Sequence, residues 1–154
     1  MVFDPTKYKK KNLKRYETYI ESLKENKIDT TSIENTISEA VTNIKNKKAK
    51  SFVIYGEPQS GKTSMMIGLT AKMLDEGHKL VILLIQDNLN LLEQNSLRFQ
   101  RSTLKPSPKM YQEVIPPDVK LEDREFVVIC KKNSSNLSLF GFLNDSERCS
   151  HILQ

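Results

Sequence analysis

Residues Gly56 to Thr63 read G-E-P-Q-S-G-K-T, the spacing G-x-x-x-x-G-K-[ST] of a phosphate-binding loop. The apolar run Ser51-Phe52-Val53-Ile54-Tyr55 leads into it, and a helix-compatible stretch from Lys62 to Leu74 leads out. Strand, glycine loop and helix form the context in which such a loop works. Gly56 and Gly61 are predicted to free the chain from the limits a Cβ imposes as it leaves the strand and enters the helix. Backbone N–H groups beyond Pro58, which has none to give, then curl around phosphate oxygens. The positive end of the helix dipole adds to the attraction. The predicted nucleotide-binding set is Gly56, Glu57, Pro58, Gln59, Ser60, Gly61, Lys62, Thr63 and Ser64. Lys62 sets a compact charge against the β- and γ-phosphates, and Thr63 offers its hydroxyl to Mg²⁺. The competing reading is an ordinary glycine turn before a helix.

The flanking sequence supplies the rest of an α/β layout. Leu13, Tyr16, Ile20 and Leu23 recur at helical spacing and predict a helix over 6–27. Ile33, Ile37, Val41 and Ile44 predict a second over 32–48, with Asp29, Thr30 and Thr31 as candidate N-caps. Residues 51–55 read as the first strand. The loop's helix follows to about Glu76, buried through Met65, Met66, Leu69, Met73 and Leu74, with Gly77 closing it. Leu80 to Ile85 is a continuous apolar run, as a parallel strand covered on both faces requires. A helix from Leu89 to Arg101, a proline-bearing surface loop over 102–125, a strand from Phe126 to Cys130 and a short helix near 136–144 complete the order. That order predicts a doubly wound parallel sheet preceded by two amphipathic helices. The expected division is a basic helical leader, 1–48, and a partial nucleotide-binding domain, 49–154.

Composition narrows the classes. The 154 residues are 38% hydrophobic and 28% charged, which suits a globular domain with a real core and not a disordered chain. No apolar run approaches the roughly 20 residues of a membrane span, and Met1-Val2-Phe3-Asp4-Pro5 lacks the plan of a signal peptide. The expectation is a cytoplasmic protein without a membrane partner. Cys130 and Cys149 show neither metal spacing nor a disulfide framework and read as reduced thiols; His78 and His151 read as surface residues. The net charge of +5 sits in residues 1–50, which hold twelve Lys/Arg against seven Asp/Glu. Lys7, Lys9, Lys10, Lys11, Lys14 and Arg15 form one cluster, and Lys45, Lys47, Lys48 and Lys50 another. These read either as a nucleic-acid contact or as a solvated helix face.

Residues 55–101 resemble the opening of the Z-one domain, a P-loop module of restriction endonuclease-type proteins and phage-defence ATPases. The likeness is carried by Gln59 to Thr63, Gly68-Leu69, Ala71-Lys72, Asp75, Gly77, Asn88 to Leu92, Gln94 and Arg98. It extends more loosely through Val127 to Leu143 and so covers about 50–143. The layout is also similar to superfamily-two helicases, which implies a RecA/helicase-like P-loop NTPase sheet with ATP and Mg²⁺ as cofactors. By that resemblance Asn88, Asn90, Gln94, Arg98 and Arg101 would line a surface that tracks a DNA backbone; an exposed polar helix face is the plainer alternative.

The sequence departs from both families at one point. They carry a downstream strand ending in Asp-Glu, whose acids hold Mg²⁺ through water and orient the attacking water. Ser150 to Gln154 stand about where that strand would begin. Asp87 ends an apolar strand but is followed by Asn88, and Phe126–Cys130 runs into Lys131 and Lys132. No arginine is assignable as a finger, and no catalytic residue is assigned. The expectation is the truncated, N-terminal ATP-binding portion of a larger DNA-acting enzyme, with hydrolysis at background level alone. Its partners would be ATP, a DNA backbone, and the rest of the enzyme or a partner subunit. Two alternatives stand beside it: a small phosphotransferase with Asp87 as its acidic group, and a non-catalytic nucleotide-binding module.

Overall fold

The computed structural model describes residues 14–46, 51–56, 60–110 and 125–133, and the backbone of 152–153. Four helices and four strands are defined: α1 (Arg15–Glu25), α2 (Thr31–Lys45), α3 (Lys62–Asp75), β1 (Leu80–Ile85), α4 (Leu89–Arg101), β2 (Lys109–Met110), β3 (Phe126–Lys131) and β4 (Ile152–Leu153). The cation cluster Lys7–Lys11, the residues Glu57, Pro58 and Gln59, the predicted helix near 136–144, Cys149 and His151 lie outside the described residues.

The strands form one parallel sheet in the order β2-β3-β1-β4. β1 and β3 run in register from Leu80 opposite Phe126 to Ile85 opposite Lys131. Side chains alternate across the pleat, so each strand serves two cores. Val81, Leu83, Ile85, Val127 and Ile129 join the helices in the larger core. Leu80, Ile82, Leu84, Val128 and Cys130 are buried on the opposite face. That double burial is why LVILLI shows no polar alternation. α3 and α4 pack on the first face, α4 through Leu92 and the fully buried Phe99, and α1 and α2 join the same core by way of α3.

α1 and α2 dock on α3. Tyr19, Ile20 and Leu23 of α1 and Ile33, Ile37 and Ala40 of α2 meet the buried side of α3. The start of α1 takes its cap from α3: Asp75 accepts from the Arg15 and Tyr16 backbone N–H groups at 3.3 and 3.0 Å. Those are two of the orphan donors every helix start leaves. Arg15 also pairs with Asp75 at 3.7 Å and with Glu125, and Lys45 pairs with Glu76. Two cations of the predicted basic clusters are thus committed to carboxylates. α3 ends in a Schellman motif, with Gly77 at φ +92° and His78 N–H reaching Met73 O at 3.1 Å.

Two expectations need correction. Residues 51–56 form no strand, and Val53 and Tyr55 are 92% and 86% exposed. A strand exists by pairing, and among the described residues no other strand's hydrogen bonds reach this run. Only Phe52 packs against the core. The 102–125 segment is not all loop, because Lys109–Met110 adds a short parallel strand beside Val128 and Ile129.

Candidate functional site

α3 starts directly from the glycine loop. Gly61 adopts φ +77°, a left-handed conformation that favours glycine, and turns the chain into the helix. The N-terminus of α3 has no side-chain cap and no acidic residue in its first turn. Among the described residues no side chain caps its leading N–H groups, and a free helix N-terminus of this kind favours an anionic ligand. Lys62 is exposed and folds back to donate from Nζ to the carbonyl oxygen of Gly56 at 3.0 Å.

Gly56 serves this geometry differently from the expectation. Its φ is not positive; what disfavours a side chain is space. A Cβ there would lie 2.6 Å from Ser60 Oγ and 3.2 Å from Lys62 Cγ, so those two side chains would have to shift. Ser64, counted in the predicted binding set, turns its hydroxyl to Tyr19 of α1. Burial raises the Tyr19 phenol above its usual range, and the Ser64 hydrogen bond partly offsets the rise.

Thr63, the predicted metal ligand, is met by α4. Its hydroxyl donates to Asn95 Oδ1 at 3.2 Å and accepts from Arg98 NH1 at 3.0 Å. Sequence reasoning missed Asn95 altogether and placed Arg98 on an outward surface. No spacing rule links positions more than thirty residues apart on different helices. The other residues of that predicted surface behave separately. Asn88 caps α4, its side chain accepting from Leu91 N–H at 3.2 Å, while Asn90, Gln94 and Arg101 are exposed.

Asp87 lies just past the end of β1 and is half exposed. Lys131 binds it at 2.8 Å, and that hydrogen bond holds its carboxyl below the ordinary aspartate range. An acid so paired is a poor free base, which weighs against a phosphotransferase built on Asp87. Among the described residues no group of three or more His, Cys, Asp and Glu side chains is placed to hold a metal by itself. No described helix is long and apolar enough to cross a membrane.

The family model for the type III restriction enzyme, res subunit, matches residues 4–147. The match takes in α1 and α2 as well as the loop, α3, α4 and β1 to β3. It names that subunit and not the Z-one domain. No curated protein and no solved structure matches the chain.

Proposed function

Because the chain belongs to the family of the type III restriction enzyme res subunit, a P-loop, helicase-like ATP-binding part of a restriction enzyme, we propose that residues 56–64 are its nucleotide cradle. The ligand is ATP with Mg²⁺. The observation that carries this reading is the uncapped N-terminus of α3, entered through a left-handed Gly61, with the Lys62 ammonium turned back to Gly56 O. In this reading the first N–H groups of α3 bind phosphate oxygens, Lys62 exchanges Gly56 O for the β- and γ-phosphates, and Thr63 offers its hydroxyl to the metal. The metal, when bound, offsets phosphate charge and polarises the terminal phosphoryl group. We read residues 1–48 as a leader whose helices α1 and α2 dock on the nucleotide-binding part, and the Z-one likeness as the same ATP-binding role in a defence enzyme.

Two finer parts complete the proposal. Contact with a DNA backbone would use Asn90, Gln94 and Arg101 on α4 together with the basic residues Lys7 to Lys11. Hydrolysis by this chain alone is at background, since Asp87 is paired with Lys131 and no Asp-Glu pair follows an apolar strand in the sequence.

Isothermal titration of Mg-ATP into the chain and into Lys62→Ala tests the cradle. Removing a charge-assisted contact should weaken binding by about 1.5 kcal/mol or more. Equal affinities would refute the assignment. Steady-state turnover near 1 s⁻¹ from the monodisperse chain, abolished by Lys62→Ala, would refute the background-hydrolysis part and restore an acidic group such as Asp87.

A further inference from the structure

The grip of α4 on Thr63 is not something a phosphate loop requires. A hydroxyl has one proton and two lone pairs. Thr63 gives its proton to Asn95 and one lone pair to Arg98, which leaves a single lone pair for a metal. Asn95 is braced in turn, its amide donating to Leu91 O at 2.7 Å. It is short, neutral and only partly exposed, so it can keep its place when the site fills.

Arg98 is different. It is exposed, carries a full charge on a long stem, and among the described residues no carboxylate pairs with it. A divalent cation ligated by the same Thr63 oxygen would stand within roughly 5 Å of NH1. Like charges that close repel, and only the guanidinium has somewhere to go. A charge held beside the phosphate cradle without a protein counter-ion is suited to an anion that arrives with the ligand.

We propose that Arg98 distinguishes a nucleoside triphosphate from a diphosphate at this site. It leaves Thr63 and turns to the γ-phosphate, which only the triphosphate carries. A guanidinium meets phosphate oxygens in a planar, two-pronged fit that Lys62 cannot offer. This inference rests on residues 56–64 being the nucleotide cradle. It adds a residue from a different helix, with a role the loop motif does not assign.

The test is calorimetric binding of Mg-ATPγS and Mg-ADP to the unchanged chain, to Arg98→Gln and to Lys105→Gln, which removes an exposed charge elsewhere. Arg98→Gln should lose roughly tenfold or more in affinity for the triphosphate and keep its diphosphate affinity within about twofold. Lys105→Gln should leave the ratio of the two affinities unchanged. Equal weakening of both nucleotides, or no weakening of either, overturns the proposal. If the unchanged chain binds neither nucleotide, the cradle reading itself fails and takes this inference with it. A chain that binds both but with a ratio indifferent to Arg98 leaves the cradle standing and removes Arg98 alone.

Discussion

At Gly68 side chains of both α2 and α1 press on the loop's helix. A Cβ built there would stand 2.7 Å from Ile37 Cδ1 and 3.6 Å from the Tyr19 ring. Ordinary carbon contacts settle near 3.5–4.0 Å. Gly68→Ala therefore sets two effects against each other. Alanine in a helix interior is better than glycine by about 1 kcal/mol. Forcing an extra carbon into a filled seam costs about 1–3 kcal/mol. Ile37 is 1% exposed, so its terminal methyl has little room to retreat. The steric effect should win, with a net loss of up to about 2 kcal/mol and a melting temperature several degrees lower. Ile37→Val deletes the offending Cδ1 and by itself should cost about 0.5–1.5 kcal/mol. In that background Gly68→Ala should reverse sign and stabilise by about 1 kcal/mol. Urea unfolding of the four proteins, followed by circular dichroism at constant slope, measures the coupling. A Gly68→Ala effect equal in both backgrounds would show that the seam yields freely, and the packing argument would be refuted.

Further outcomes follow from other contacts. Asp75→Ala strips the cap from α1 and should cost about 0.5–2 kcal/mol. Hydrogen exchange should show α1 amides losing protection while α4 amides keep theirs; equal loss in both would refute the local role. Hydrogen bonds from Lys24 and Lys45 hold Glu34 and Glu76 below the ordinary value of 4.5. Their folded-state pKa values are depressed, so their contribution to stability is present above pH 4.5 and is lost as pH falls through the lower folded values. Urea midpoints measured against pH should show this loss, and Glu76→Gln should shallow it; an unaltered acid slope would count against the Lys45 pair. Burial pushes the Cys130 thiol up to about 11, and it is 2% exposed. Iodoacetamide near neutral pH should therefore spare Cys130 in the native chain and modify it in denaturant, read by peptide mass spectrometry. Rapid native labelling would contradict its burial.

The elements legible in the sequence were those whose pattern is local. Ile33, Ile37, Val41 and Ile44 mark α2 because a helix brings them to one face, and LVILLI marks β1 because both its faces are covered. Gly77 closing α3 and the left-handed turn at Gly61 were legible for the same reason. Pairing was not. Phe52 to Tyr55 has the composition of a central strand, yet composition says nothing about which neighbour supplies hydrogen bonds. Lys109–Met110 is too short for alternation to register and follows two prolines. The loop's motif pointed to Lys62 and Thr63 as phosphate and metal contacts by residue type. It could not name Asn95 and Arg98, nor the Asp75 cap on α1, because these join residues through the fold alone.

The position of β1 between β3 and β4 has a consequence during synthesis. Its main partner, β3, is encoded roughly 45 residues later, which at ribosomal speed is a wait of several seconds. Throughout that interval Leu80 to Ile85 is a six-residue segment with no charge and no proline, the kind that aggregates through its backbone. α1, α2 and α3 are already complete by then, and their shared core meets Val81, Leu83 and Ile85. A nascent chain can therefore shelter one face of the strand while its edges stay open. α3, backed by α1 and α2, is thus in place to cover that face of the strand before β3 is made.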